Sequence, residues 1–215
     1  MDNSINQLID SFVKKQTCIA EVHFTGESRP PADAAIKVDF PRLNIVIEGQ
    51  LYDLALGDNA APLQPRDVLY IAGDSWNWPQ WQTPCLLLSI LFGKQQLEFS
   101  LQRWSGEALT LVQKIQVPRR GPRVGSFLLQ ALNEIRMQPQ EQQTARSIVI
   151  SLLSHCTDLL GSQAQTSSRS QALFEAIRQY IDLHFAAEPG IRGPVVLPIP
   201  QLSLAPVSEM RAHGF

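Results

Sequence analysis

The residues able to do chemistry are few and scattered. The histidines are His23, His155, His184 and His213, and no H-x-H pair occurs. Only His23 falls where the chain reads as β-strand. A first-row metal site needs about three converging protein ligands, so no metal centre is predicted. The chain carries no G-x-S-x-G turn, no P-loop and no G-x-G-x-x-G, so neither a nucleophile elbow nor a phosphate cradle is expected. Cys18 and His23 lie on one predicted strand at an odd separation, which puts them on opposite faces and denies them a catalytic dyad. Cys18, Cys85 and Cys156 each sit in an apolar stretch and read as buried, reduced thiols rather than a disulfide framework. Asp67 stands beside a turn, where a carboxylate accepts turn N–H groups. The expectation is a protein that is not an enzyme and holds no cofactor.

The most unusual cluster is aromatic: Trp76, Trp78 and Trp81. Such rings can plug the end of a β-structure, or line a pocket for a small organic effector. Tyr70, with Ile45, Ile47, Leu88 and Ile90, could share that pocket. The strands alone do not reveal which face points inward. Arg119-Arg120-Gly121-Pro122-Arg123 is a short basic loop, readable as a solvated junction or part of an interface, and too short for a DNA-binding module.

The elements that must position these residues fall in two regimes. Ile5, Leu8, Ile9 and Phe12 have helical spacing within residues Asn3–Lys15. From Thr17 to about Arg103 the period is two. Strands are expected around Cys18–Phe24, Ile36–Phe40, Leu43–Glu48, Leu51–Leu54, Asp67–Ala72, Leu86–Phe92 and Leu97–Trp104, with turn-rich segments between. In Asp67–Ala72, Val68, Tyr70 and Ala72 share one face, and Leu69 and Ile71 the other. Many short strands of this kind predict a small antiparallel barrel or sandwich.

After Pro122 the spacing is helical. Phe127, Leu128, Ala131, Leu132 and Ile135 mark one helix, ending near Gln138-Pro139. Ala145, Ile148, Val149, Leu152, Leu153, Cys156 and Leu159 mark a second, over about Gln140–Leu160, with Gly161 as its expected stop. The pair reads as an antiparallel hairpin whose wide apolar stripe is buried against the β-structure, a second subunit, or both. Ser162–Arg169 is small and polar, as a linker is. Gln171–Ala187 places Leu173, Ala176, Ile177, Tyr180, Ile181 and His184 on one helical face. Pro189–Phe215 holds five prolines and no sustained period, so disorder is expected there.

Charge and composition narrow the function. The 215 residues are 18% charged, with a net charge of −2. A complete nucleic-acid binder usually has a basic excess, and none is present. Met1–Val13 is polar-rich and unlike a secretory signal. The longest apolar run, Cys85–Phe92, is far short of the roughly 20 residues of a membrane span. A cytoplasmic location without membrane partners is expected.

Several segments resemble AraC-type bacterial transcription regulators. Phe40-Pro41-Arg42-Leu43-Asn44-Ile45-Val46-Ile47-Glu48-Gly49-Gln50-Leu51 resembles that family's cupin strand pair around a turn glycine. Pro65-Arg66-Asp67-Val68-Leu69-Tyr70-Ile71-Ala72-Gly73 resembles the cupin stretch that follows, with Arg66 where a glycine is usual. Trp76-Asn77-Trp78-Pro79-Gln80-Trp81 stands where these regulators often carry Trp-Asn. Ala176-Ile177-Arg178-Gln179-Tyr180-Ile181 resembles the first helix of their DNA-binding unit. The resemblance covers residues 1 to about 187.

The resemblance implies an α+β fold: a cupin-like antiparallel β-barrel, of the double-stranded β-helix or jelly-roll type, followed by an α-helical hairpin. It implies a sensing domain over 1–125 including the N-terminal helix, a dimerisation hairpin over 126–161, a linker over 162–170, and a first DNA-binding helix over 171–187. Residues 188–215 are then a tail. The implied partners are a second copy of the chain, a small organic effector, and DNA in full-length relatives only. Dimer contacts would come from Leu128, Leu132, Ile135, Ile148, Leu152 and Leu159. The family's pair of helix-turn-helix motifs does not follow. Back-translated from Ser203 to Gly214 and read one base later, the message can give Leu-Ser-His-Leu-Phe-Gln-Lys-Cys-Gly-Arg-Met-Gly. This resembles the family's recognition-helix region, so a frameshifted tail and a truncated DNA-binding unit are expected. A stand-alone cupin-like enzyme or small-molecule-binding protein is the alternative, disfavoured by the missing histidine ligands. A subunit that forms inactive heterodimers with an intact regulator is a third reading.

Overall fold

The computed structural model describes residues 4–25, 36–57, 60–119, 124–136, 138 and 141–162. The chain divides into a unit of residues Met1–Arg169 and a second of Ser170–Phe215. All described residues belong to the first, so the expected helix 171–187 and the tail 188–215 lie outside them.

Helix α1 (Ile5–Val13) forms where the spacing predicts it. Ser4 Oγ accepts the Gln7 N–H at 3.3 Å while Gln7 Oε1 accepts the Ser4 N–H at 3.3 Å. This reciprocal cap satisfies two N–H groups that helix geometry leaves free. Ile5, Leu8, Ile9 and Phe12 are its buried side.

The main sheet has six strands in the order β1 (Val22–Phe24), β5 (Val68–Ile71), β3 (Arg42–Gly49), β8 (Cys85–Phe92), β9 (Gln96–Trp104) and β10 (Leu109–Pro118). All neighbours are antiparallel except β1 and β5, which run parallel. Two ribbons complete the β-structure. One pairs β2 (Ile36–Val38) with β6 (Ser75–Asn77); the other pairs β4 (Tyr52–Asp53) with β7 (Pro79–Gln80).

Of the expected antiparallel barrel or sandwich, the described residues show a largely antiparallel sheet that does not close, with one parallel neighbour pair, β1 and β5. Among the described residues no pairing joins the edge strands β1 and β10 to the ribbons or to each other. The ribbon strands are two or three residues long. They are too short to extend the ladder, and Pro79 has no N–H to give to one. Strand β10 is absent from the sequence reading. A bulge between Leu111 and Gln113 breaks its alternation, and its edge position leaves Leu109, Leu111 and Val112 about half exposed.

Alternation gives the sheet two different faces. On the first lie Leu43, Ile45, Val68, Tyr70, Leu86, Leu88, Ile90, Phe99 and Leu101. They pack with α1, with α2 (Val124–Ile135) and with α3, helical over residues 142–162. On the second lie Val46, Leu69, Ile71, Cys85 and Leu87, in a smaller core with Val38, Leu51, Leu63 and Trp81. The predicted split of Val68, Tyr70 and Ala72 from Leu69 and Ile71 is the split observed. Cys85 and Cys156 are buried, but Cys18 is exposed, because the regular strand begins only at Val22.

Side chains tie the helices to the first face. Tyr70 is fully buried, and its hydroxyl donates to Asn133 Oδ1 at 2.8 Å and faces the Leu129 carbonyl at 3.4 Å. Gln142, opening α3, receives the Val22 N–H at 3.0 Å and donates to the Val22 carbonyl at 2.9 Å. Its amide caps edge strand β1 as a neighbouring strand would. Arg119 spans from the Gly93 carbonyl (3.2 Å) to Ser126 Oγ (2.6 Å), so it braces the entry into α2. Gly161 does not stop α3, which is helical through 162.

Candidate functional site

The residues predicted to line one pocket are not brought together. Ile45, Leu88, Ile90 and Tyr70 are fully buried on the first face, and Ile47 packs against that same core. Trp81 packs in the core of the second face. Trp76 is opposite Lys37 in the first ribbon, pointing away from the side that carries Val38 and Asn77. Trp78 contributes its backbone, with its N–H on Asp53 Oδ1 at 3.2 Å. The residues expected to make dimer contacts also face inward. Leu132 and Leu152 are fully buried, Leu159 is 9% exposed, and Leu128, Ile135 and Ile148 pack partly buried against the same core. Phe127, on the stripe expected to meet the β-structure, a second subunit or both, is 71% exposed in the single chain.

Polar side chains collect on the second face. Cross-strand register places Asn44, Ser89, Ser100 and Lys114 in one row over β3, β8, β9 and β10. The adjacent row holds Arg42, Leu91, Glu98 and Gln116. Directly opposite side chains stand about 5 Å apart, and successive same-face residues of a strand about 7 Å. Asn44, Ser89 and Ser100 are buried. Each interrupts an apolar stretch: Leu43-Asn44-Ile45, Leu88-Ser89-Ile90 and Phe99-Ser100-Leu101. Read singly, each is a polar blemish in a strand. Only the register reveals a line.

Several of these groups lack partners. Arg42 Nε, Asn44 Oδ1 and Trp104 Nε1 are buried without a hydrogen bond among the described residues, as is Asn77 Oδ1 of the first ribbon. An unmade bond of this kind costs about 1–3 kcal/mol. Glu98 does not neutralise Arg42 at contact distance. Its Oε2 is taken by Gln116 Nε2 (2.7 Å) and Lys114 Nζ (3.0 Å). Those two bonds, with the Lys114 and Arg42 charges, hold the Glu98 carboxyl below its ordinary pKa. Burial pushes the Arg42 guanidinium down, and the Glu98 charge pushes it back up. At the far end of the sheet, Trp104 faces Trp81 with ring centroids 6.4 Å apart.

Asp53 holds the second ribbon. Its Oδ1 accepts the Ala55 N–H at 2.9 Å and the Trp78 N–H at 3.2 Å, while Oδ2 is buried without a partner. Burial raises its pKa to about 6, against the lowering effect of the two N–H bonds. Asp67 accepts the Gln64 N–H at 2.7 Å, the turn role expected of it. Its other neighbour is His23, whose Nε2 lies 3.5 Å from Asp67 Oδ2 and 3.9 Å from Glu21 Oε2. Among the described residues no group of three or more His, Cys, Asp and Glu side chains could hold a metal ion. A cavity of about 200 Å³, lined by Asn6, Asp10, Thr157, Leu160 and Gly161, lies between α1 and the end of α3.

This arrangement is a helix-braced sheet with a buried polar row on its second face, and proteins similar to it in sequence are named helix-turn-helix transcriptional regulators. One, the HTH-type transcriptional regulator YijO of Escherichia coli K12, is 54% identical over 187 residues, covering 87% of this chain and 65% of its own length. Another, the HTH-type transcriptional regulator YpdC of the same organism, is 26% identical over 181 residues, covering 83% of this chain and 63% of its own length. The chain thus spans just under two thirds of these relatives. No protein-family model matches it, and no solved structure does. Among the described residues no helix is long and apolar enough to cross a membrane.

Proposed function

We propose that this chain is the effector-sensing and dimerisation portion of an AraC-type transcription regulator. The observation that carries this reading is the 54% identity with a named helix-turn-helix regulator. At that identity over most of the chain, two sequences share a fold and ordinarily a role. The β-structure, with ribbons over the second face of the sheet, serves as an incompletely closed cupin-like sensing domain. The polar rows are its effector side, since buried polar groups without partners call for a ligand that supplies them. In a full-length regulator the sensing state is passed to recognition helices that enter the major groove. The α2–α3 pair mediates the homodimer. Its inward side chains serve the chain's own core, so the partner meets the opposite side, where Phe127 is 71% exposed.

Co-purification tests this directly. The untagged chain, co-expressed with a tagged copy of the 54%-identical relative, is expected to be retained with it. Phe127→Glu is expected to abolish retention without unfolding the chain. A wild-type chain that is never retained, and sediments as a monomer at micromolar concentration, overturns the reading.

A further inference from the structure

The chemistry of the second face narrows what it binds, on the reading that this face is the sensing side. Over the two polar rows of β3, β8, β9 and β10 the charged residues are Arg42, Lys114 and Glu98. Lys114 and Glu98 are paired at 3.0 Å. Among the described residues Arg42 has no carboxylate at contact distance, Glu98 acting on it only at longer range, and its Nε is a buried donor making no hydrogen bond. About 7 Å along the same strand face, Asn44 is 2% exposed and its Oδ1 is an acceptor making none. Ser89 lies across from Asn44, and Ser100 across from Ser89, with hydroxyls that can give or accept. A fitting ligand presents an anionic oxygen pair to Arg42 and, one or two bonds away, a hydroxyl donor to Asn44.

We propose that the Arg42–Asn44–Ser89–Ser100 patch binds a small hydroxycarboxylate, with its carboxylate on Arg42 and its hydroxyl donating to Asn44 Oδ1. A neutral polyol brings no charge to meet the Arg42 guanidinium. A carboxylic acid without a hydroxyl leaves Asn44 unsatisfied. A dicarboxylate brings one negative charge more than the rows offset. An arginine fork, not a lysine, suits a planar carboxylate.

The probes are sodium D-glycerate, glycerol and sodium propionate, titrated calorimetrically into the full chain. D-glycerate is expected to bind, and the other two to bind at least about tenfold more weakly. Arg42→Gln is expected to weaken D-glycerate binding by at least about tenfold, with Arg42→Lys intermediate. Asn44→Leu is expected to lose a similar factor. Thermal midpoints of the unliganded variants, kept near that of the wild type, exclude misfolding as the cause. Where Arg42→Gln unfolds, the Arg42→Lys and Asn44→Leu results decide. Glycerol binding as tightly as D-glycerate, or Arg42 variants binding as the wild type does, overturns the anion assignment. So does an absence of D-glycerate binding. If the chain is still retained by the tagged relative in that case, the regulatory reading stands and only the ligand class falls. If it is not retained, both fall.

Discussion

The two faces of one sheet are built on opposite terms. On the first, the core positions of β3, β5, β8 and β9 are apolar or, for Tyr70, hydrogen-bonded, and three helices pack with it. On the second, Asn44, Ser89 and Ser100 replace the apolar residues that would continue the core. Strands β3, β8 and β9 carry both patterns at once, one on odd and one on even positions. The lesson is that stability and recognition are divided by the pleat rather than by segment. The first face holds the molecule together. The second carries Arg42 Nε and Asn44 Oδ1 without hydrogen bonds among the described residues, a cost that folding alone does not explain.

This contrast is open to being broken. Leu88, fully buried at the centre of the first face, should be the most costly to truncate. Leu88→Ala is expected to lower the unfolding free energy by about 3 kcal/mol, measured by urea denaturation. A loss as small as that of a surface substitution would refute the division.

The next effect is a pH dependence from Asp53. Its folded-state pKa of about 6 lies above the ordinary carboxylate value of 3.8. Between those values the unfolded chain has released the proton and the folded chain still holds it. Stability is therefore greatest below the ordinary value and declines as pH rises through the folded one, by about 2–3 kcal/mol in all. Asp53→Asn keeps the Oδ1 acceptor for Ala55 and Trp78 and removes the proton. Unfolding free energies of wild type and variant, compared at about pH 4 and about pH 7, should differ by that slope. Parallel pH profiles would contradict it.

Tyr70→Phe removes the hydroxyl that reaches Asn133 and Leu129 while keeping the ring packed against Phe24 at 6.1 Å. A loss of about 1 kcal/mol is expected by the same denaturation measurement. The smallest change is expected from Asn44→Leu. Asn44 Oδ1 makes no bond among the described residues, so replacing the amide by an apolar group of similar size should cost nothing or stabilise by about 1 kcal/mol. A loss as large as that of Leu88→Ala would mean that Asn44 serves the core.

The first face was largely legible before the structure. Helix α1, the alternation of Val68, Tyr70 and Ala72, the apolar run of strand β8 and the two helices after Pro122 all follow from spacing. Each is a local pattern written along one segment. The second face was not legible, because its rows exist only across strands. Nothing within Leu43-Asn44-Ile45 says that Asn44 will stand opposite Ser89. The effector residues chosen from the sequence, Tyr70 and Ile45 among them, were grouped by type. Register separated them from Trp81 by the thickness of the sheet. Strand β10 is hidden by its bulge, and many short strands leave barrel and sandwich equally open, because their number does not tell whether short ribbons can reach an edge.

The division of labour is tested most directly by side-chain NMR of the full chain during a D-glycerate titration. The Asn44 side-chain amide and the Arg42 Nε–H should shift furthest, with the Asn6 amide beside the α1–α3 cavity unmoved. Unmoved Asn44 and Arg42 signals, or a response centred on Asn6, would show that the polar rows are not where this protein meets its ligand.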